Sequence, residues 1–262
     1  MREGKSVIPQ PLPLTLGAEL SGVIEAVAPD TAGLLRGDQI FGVTNARFTG
    51  AYAEYAIAEA AMIASKPARL TDVEAASAPV VACTAQQMLF DHAGVQKGQI
   101  VVVLGAAGNV GGYAVQLAQL AGARVVATAR PQHFDLLRSW GAAEVVAAGE
   151  PAPPELAGQA DAVIDTVGGE ALAQAFAWLR RGGVVISAVA EPDHDTARRQ
   201  EARAQFILVS VTTAGLRRLA ELFDAGKLRT HVGPKLSLSE ARLAHRMLGD
   251  PKRQRGKIIL AP

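Results

Sequence analysis

The apolar residues of this chain change rhythm twice. Over residues 14–70 they come in short runs broken by Gly, Asp and Pro. Gly22-Val23-Ile24-Glu25-Ala26-Val27 and Gln39-Ile40-Phe41-Gly42-Val43 predict strands, with Arg36-Gly37-Asp38 as a tight turn between them. Residues 51–58 are a further strand candidate, so this part reads as mostly β. From Thr84 to about Gly226 strand and helix patterns alternate. Ile100-Val101-Val102-Val103-Leu104 is apolar throughout, as a strand buried on both faces should be. Val110, Ala114, Leu117, Ala118 and Ala121 follow at helical spacing, and Gly122 ends that helix. A strand at 124–128, a helix at 133–140, a strand at 162–164 and a helix at 170–179 come next. The last is expected to stop at Gly182-Gly183, before strands at 184–187 and 206–209. Residues 150–154 predict a surface loop, and 191–205 a charged loop with a short helix. The tail predicts a helix at 239–248 and a strand at 257–260. Alternation of this kind implies βαβ units around a parallel sheet.

Composition narrows the reading. At 262 residues the chain has room for one large domain or two ordinary ones. It is 49% hydrophobic and 19% charged, which excludes global disorder. The net charge is +1, from 26 basic and 25 acidic residues, so nothing favours nucleic acid or an anionic membrane. The single cysteine, Cys83, excludes an intramolecular disulfide and a multi-cysteine zinc site, and reads as a small buried hydrophobe. With no apolar leader at Met1-Arg2-Glu3-Gly4-Lys5 and no run long enough to span a bilayer, the expected location is the cytoplasm.

The candidate chemistry sits in Gly105-Ala106-Ala107-Gly108-Asn109-Val110-Gly111, directly after a predicted strand and opening a predicted helix. That setting separates a dinucleotide site from a chance glycine cluster. Ala106 replaces the first glycine of the strict G-x-G-x-x-G pattern. Gly108 is expected to take a backbone conformation closed to other residues. Gly111 is expected to let the helix pack tightly, and the amides of Val110 to Gly112 to face a pyrophosphate. The second strand discriminates between cofactors. An acid at its end would bond the ribose 2′-hydroxyl of NAD. Here Thr128-Ala129-Arg130 is followed by Gln132 and His133, with no acid before Asp135. Arg130 can pair with a 2′-phosphate, so NADP(H) is favoured over NAD(H). The missing acid also counts against an S-adenosylmethionine enzyme.

These residues together resemble the medium-chain dehydrogenase/reductase superfamily, in its zinc-free quinone oxidoreductase branch. The marks are Leu16-Gly17-Ala18-Glu19-Leu20-Ser21-Gly22-Val23, Arg36-Gly37-Asp38-Gln39-Ile40-Phe41-Gly42, Gly50-Ala51-Tyr52-Ala53-Glu54-Tyr55 and Thr84-Ala85. The glycine turn, Asp165-Thr166-Val167-Gly168-Gly169, Ala225-Gly226-Lys227-Leu228, Ala244-His245-Arg246 and Arg255-Gly256-Lys257-Ile258 complete them. The resemblance implies an α/β fold: a Rossmann doubly wound parallel sheet over 84–227 and a GroES-like β domain from 1–83 and 228–262. It implies hydride transfer from NADPH to a quinone, an enone or a related activated double bond, in a homodimer. It places Thr166, Val167 and Gly168 along the adenosine side, and Ser187 and Ala188 near the nicotinamide. Tyr52 and Thr84 are the polar candidates for catalysis. Tyr52 reads more readily as packing, Thr84 as orienting the cofactor, and Asp165 as a helix N-cap. Residues 206–210 resemble the last strand of the cofactor sheet.

Two departures matter. Zinc-dependent relatives carry a histidine before the glutamate of the first motif, where this chain has Ala18, so no metal is expected. The chain also begins inside the family pattern, so the opening strands of the β domain and a segment near the nicotinamide are expected to be missing. A misplaced start, a partner chain and a true short form would each explain that. The alternative function is therefore an NADP(H)-binding sensor or assembly protein with weak or no activity.

Overall fold

The first described strands are three short ones: β1 (Glu19–Val23), β2 (Gln39–Val43) and β3 (Ile63–Ser65). They are seen in a computed structural model that describes residues 12–250 and 254–262. The sheet is antiparallel, with Phe41 paired to Ser21 on one side and Ala64 on the other. Phe41 and Val43 are fully buried. Gly42 lets the neighbours approach, since a β-carbon there would lie 2.3 Å from the Met62 carbonyl oxygen. The predicted turn is present: Gly37 has φ +94° and donates to the Ile24 carbonyl at 2.9 Å. The strand expected at 22–27 instead spans Glu19–Val23, leaving Val23 and Val27 exposed. No strand forms at 51–58. Gly50, Ala51 and Tyr52 donate to Thr15, Gly17 and Leu16, and the chain then turns out with Tyr55 and Ile57 exposed.

Helix α1 (Asp72–Ala76) starts at a capping box in which Thr71 and Glu74 satisfy each other's amides. Helix α2 (Pro79–Gln86) was not predicted. It continues into a π-helical segment, Gln87–His92. The chain divides inside α2 into two compact units, Thr84–Val209 and the residues on either side of it.

The second unit alternates as predicted, with β4 (Ile100–Leu104), α3 (Asn109–Leu120), β5 (Arg124–Ala129), α4 (Phe134–Ser139) and β6 (Glu144–Ala147). It continues with β7 (Ala160–Asp165), α5 (Gly169–Trp178), β8 (Leu179–Ser187), α6 (His194–Arg199) and β9 (Arg203–Phe206). All six strands are parallel, in the order β6-β5-β4-β7-β8-β9. That is the doubly wound Rossmann order, with its switch point between β4 and β7. Val102, Val126, Val163 and Val185 carry one face of the sheet into a core with Leu172, Phe176 and Trp178 of α5. Strand β6 was not anticipated. α5 passes straight into β8 at Leu179 rather than stopping at the glycine pair. The last strand, β9, lies at Arg203–Phe206 rather than 206–209.

Helix α7 (Thr213–Asp224), β10 (Val232–Ser237), α8 (Ala241–Leu248) and β11 (Lys257–Ala261) belong to the first unit. The Thr213 hydroxyl donates to the Ile63 carbonyl at 2.8 Å, fastening α7 to β3. The second unit therefore ends at Val209, where the sequence pattern suggested about 227. β10 and β11 form a parallel pair.

Candidate functional site

Strand β4 delivers the glycine turn to the carboxyl end of the sheet, beside the switch point, where open α/β sheets bind ligands. The left-handed residue is Gly105, with φ +73°. Gly108, expected to have that role, is ordinary extended backbone at φ −79° and ψ 178°. The tight turn has moved one residue upstream of the position where Ala106 replaces a glycine. Gly111 behaves as expected: its β-carbon would lie 2.3 Å from the Gly105 carbonyl oxygen and 2.7 Å from Ala106 Cα. Gly112 also lacks space, facing Trp140 at 2.7 Å. No side chain caps α3 at Gly108. The Gly112 amide donates to the Gly108 carbonyl at 3.0 Å, so the open first-turn amides are those of Asn109, Val110 and Gly111. Together with the positive end of the helix dipole, they can hold a phosphate.

Across the switch point, Asp165 ends β7 fully buried. Its Oδ1 accepts from the amides of Val167 and Gly168, both at 3.0 Å, and its Oδ2 accepts from Ser187 Oγ at 2.7 Å. Ser187 in turn accepts from the amides of Val189 and Ala190 at 3.1 and 3.2 Å. Its hydroxyl is thereby spent, one donor and two acceptors. Any ligand contact at this edge must come from its neighbours. Ala188 is half-buried, its amide bonded to the Asp165 carbonyl. Asp165 ties two loops together, and through the Gly168 amide it holds the residue that is itself the N-cap of α5. The Thr166 hydroxyl also points inward, donating to the Leu104 carbonyl at 2.7 Å. Val167 is exposed.

At the end of β5, Arg130 is exposed and pairs with no carboxylate among the described residues. The nearest acid in sequence, Asp135, is already in α4 and bonded to Arg138 at 3.0 Å. His133 closes the 3-10 turn Pro131–His133, its Nε2 3.4 Å from Gln132 Nε2. Thr128, which sequence reasoning passed over, accepts from the Gly105 amide with its hydroxyl and from the Ala106 amide with its carbonyl.

In the first unit, Tyr52 is wedged beneath Gly17, whose β-carbon would lie 2.3 Å from the Tyr52 ring, and meets His245 edge-on at 5.9 Å. Burial, then the nearby Glu19 carboxylate, push its phenol above the usual range. Glu19 accepts from the Val80 amide at 2.9 Å and pairs with Lys257, joining β1, α2 and β11. Burial and then Glu19 also push the Cys83 thiol up, to about 12, against a smaller pull from Arg218. Thr84 is buried where the second unit begins. Among the described residues, no three His, Cys, Asp or Glu side chains gather closely enough to hold a metal ion.

The chain matches family models described as "Alcohol dehydrogenase GroES-like domain" over residues 1–68 and "Zinc-binding dehydrogenase" over residues 140–260. It is 33% identical over 259 residues to the spectinabilin polyketide synthase system protein NorB of Streptomyces orinoci, covering 94% of this chain and spanning only 12% of that protein's length. It is 30% identical to the "Probable zinc-binding oxidoreductase, mitochondrial" of Arthroderma benhamiae, over 93% of this chain and 78% of the relative. The quinone oxidoreductase of Coxiella burnetii superposes with a TM-score of 0.82 at 29% identity, over 99% of this chain and 81% of that one. The chain belongs to the medium-chain dehydrogenase/reductase superfamily, in its quinone oxidoreductase-like branch, an oxidoreductase family whose Rossmann-like unit implies an NAD(P) cofactor.

Proposed function

We propose that the protein is an NADPH-dependent, zinc-independent oxidoreductase that reduces a quinone, an enone or a related activated double bond. The observation that carries the cofactor choice is the end of β5. It presents Arg130 with no carboxylate partner among the described residues, and the sequence has no acid at the end of β5 to bond a ribose 2′-hydroxyl. When bound, NADPH supplies the hydride. The chain's own part is to hold and orient. The open amides of Asn109 to Gly111 would hold the pyrophosphate, with Gly105, Ala106, Ala107 and Gly108 forming the turn that leads into them. Arg130, with His133 beside it, would meet the 2′-phosphate, while Val167, Gly168 and Ala188 would form the rim across the switch point, braced by Thr166 and Ser187 through their bonds to Leu104 and Asp165. Tyr52, whose phenol burial and then Glu19 push above the usual range, is the first candidate proton donor to a developing oxyanion. Thr84 is the second candidate donor.

Three features support a reaction without zinc. Ala18 stands where zinc-dependent relatives carry histidine. Cys83 is the chain's single cysteine and is buried, so no second thiolate is available to share a metal. Glu19 is already bonded to Val80 and Lys257. Likeness to a quinone oxidoreductase supports a quinone acceptor. The test is NADPH oxidation by the purified, chelator-treated chain with a quinone and an enone. Turnover with one of them at undiminished rate supports the reading. Binding without turnover on any acceptor would favour a sensor, and loss of turnover on chelation would overturn zinc independence.

A further inference from the structure

One peptide group joins Leu104, the last residue of β4, to Gly105, the first of the glycine turn. A trans peptide sends its C=O and N–H in opposite directions. Here one end meets a threonine hydroxyl from β5 and the other a threonine hydroxyl from the loop that follows β7. Thr128, in β5, accepts from the Gly105 amide at 3.3 Å. Thr166, just after β7, donates to the Leu104 carbonyl at 2.7 Å. Backbone bonds reinforce both sides. The Thr166 amide donates to the same Leu104 carbonyl at 3.2 Å, and the Ala106 amide to the Thr128 carbonyl at 3.1 Å. Strands β5 and β7 flank β4 on either side, so the grip spans the switch point itself.

What this peptide orients is the turn. A β-carbon on Gly105 would lie 2.6 Å from Val167 Cγ2 and 2.7 Å from Thr166 Oγ1, so the loop after β7 rests directly on Gly105. The Gly105 carbonyl accepts from the Gly108 amide at 2.8 Å and lies against Gly111. Rotation of the Leu104–Gly105 peptide would therefore carry the start of α3 with it, along with the open amides of Asn109 to Gly111.

We propose that Thr128 and Thr166 are a two-sided pair of positioning residues for NADP(H), fixing the Leu104–Gly105 peptide so that the first-turn amides of α3 meet the pyrophosphate without reorganising. This rests on the dinucleotide reading of the turn. Neither hydroxyl is assigned a contact with the nucleotide, which makes Thr166 a support of the turn rather than part of the adenosine wall.

The variants Thr128→Val and Thr166→Val keep the shape and remove the hydroxyl, while Thr128→Ser and Thr166→Ser keep the hydroxyl. Each full chain is titrated with NADPH by fluorescence, and exchange of the Gly105 amide is followed without nucleotide. Either valine variant should weaken NADPH binding by about tenfold and speed Gly105 exchange, with the loss falling on KM for NADPH. The serine variants should restore both readouts. Valine variants that bind as tightly as a wild-type chain that does bind would overturn the pair and leave the dinucleotide reading intact. Serine variants as impaired as the valine ones would also overturn it, since packing would then be the cause. A wild-type chain that binds no NADPH overturns the dinucleotide reading and the pair together.

Discussion

Neither Gly111 nor Gly105 tolerates a side chain: Gly111 lies against the Gly105 carbonyl, and Gly105 has φ +73° with Val167 and Thr166 against it. Gly111→Ala would place a methyl 2.3 Å from the Gly105 carbonyl oxygen. Backbone cannot yield there as a side chain would, so a loss of about 1–3 kcal/mol in stability is expected, read by urea denaturation, together with weakened NADPH binding. Arg130→Ala removes a charge-assisted contact that only a 2′-phosphate would make. NADPH affinity should fall by about 10- to 100-fold and NADH affinity should hold. The thiol of Cys83 gives a pH prediction. Its ordinary value is 9.0 and burial pushes it up to about 12. Above pH 9 the unfolded chain loses a proton that the folded chain retains. Cys83 then disfavours folding as pH rises from about 9 towards 12 and contributes nothing to pH dependence below 9. Cys83→Ala should flatten the alkaline decline in stability, and the native thiol should resist alkylation at pH 8. At this scale the sequence disclosed the glycine turn and the lack of an acid after β5. It did not disclose which glycine turns left-handed, because that depends on what lies above the turn: Thr166 and Val167, sixty residues away, sit on Gly105 and not on Gly108. For the same reason Ser187 and Thr166 read as ligand-facing, since no local pattern reveals that their hydroxyls are spent on Asp165 and Leu104.

Among elements, α7 begins at a local cap as well as bonding to β3. The Thr212 side chain accepts from the Gly215 amide at 3.1 Å at its N-cap. Thr212→Ala should cost about 1 kcal/mol, visible as a lower urea midpoint with an unchanged slope. That helix is missing from the sequence reading although it carries a periodic signal: Thr212 followed by Leu216, Leu219 and Phe223, all buried, with Arg217, Arg218 and Glu221 between them. α2 had none. Its sequence, Pro-Val-Val-Ala-Cys-Thr-Ala-Gln, is buried almost throughout, so no polar face marks a helical period. The converse error is residues 51–58. Aromatic and aliphatic residues there suggest a strand, yet after Tyr52 no neighbouring strand takes up the amides and Ile57 is 93% exposed. The strands of the parallel sheet were the readiest to find, because burial on both faces writes itself as unbroken apolar runs.

For the whole chain, a six-stranded sheet in Rossmann order and a small antiparallel sheet are what the alternation and the family marks imply. The return to the first unit comes at Ser210 rather than 228 because α7 bonds to β3 through Thr213. A chain that binds NADPH only when folded is stabilised by it. At a hundredfold excess over Kd the gain should be about 2.7 kcal/mol, seen as a higher unfolding midpoint with NADPH than with an equal concentration of NADH.

The most direct test is a paired titration of the purified chain with NADPH and NADH at fixed ionic strength. The account predicts that NADPH binds at least about tenfold more tightly and that Arg130→Ala erases the difference. Equal affinity for the two nucleotides, or a preference for NADH, would contradict it.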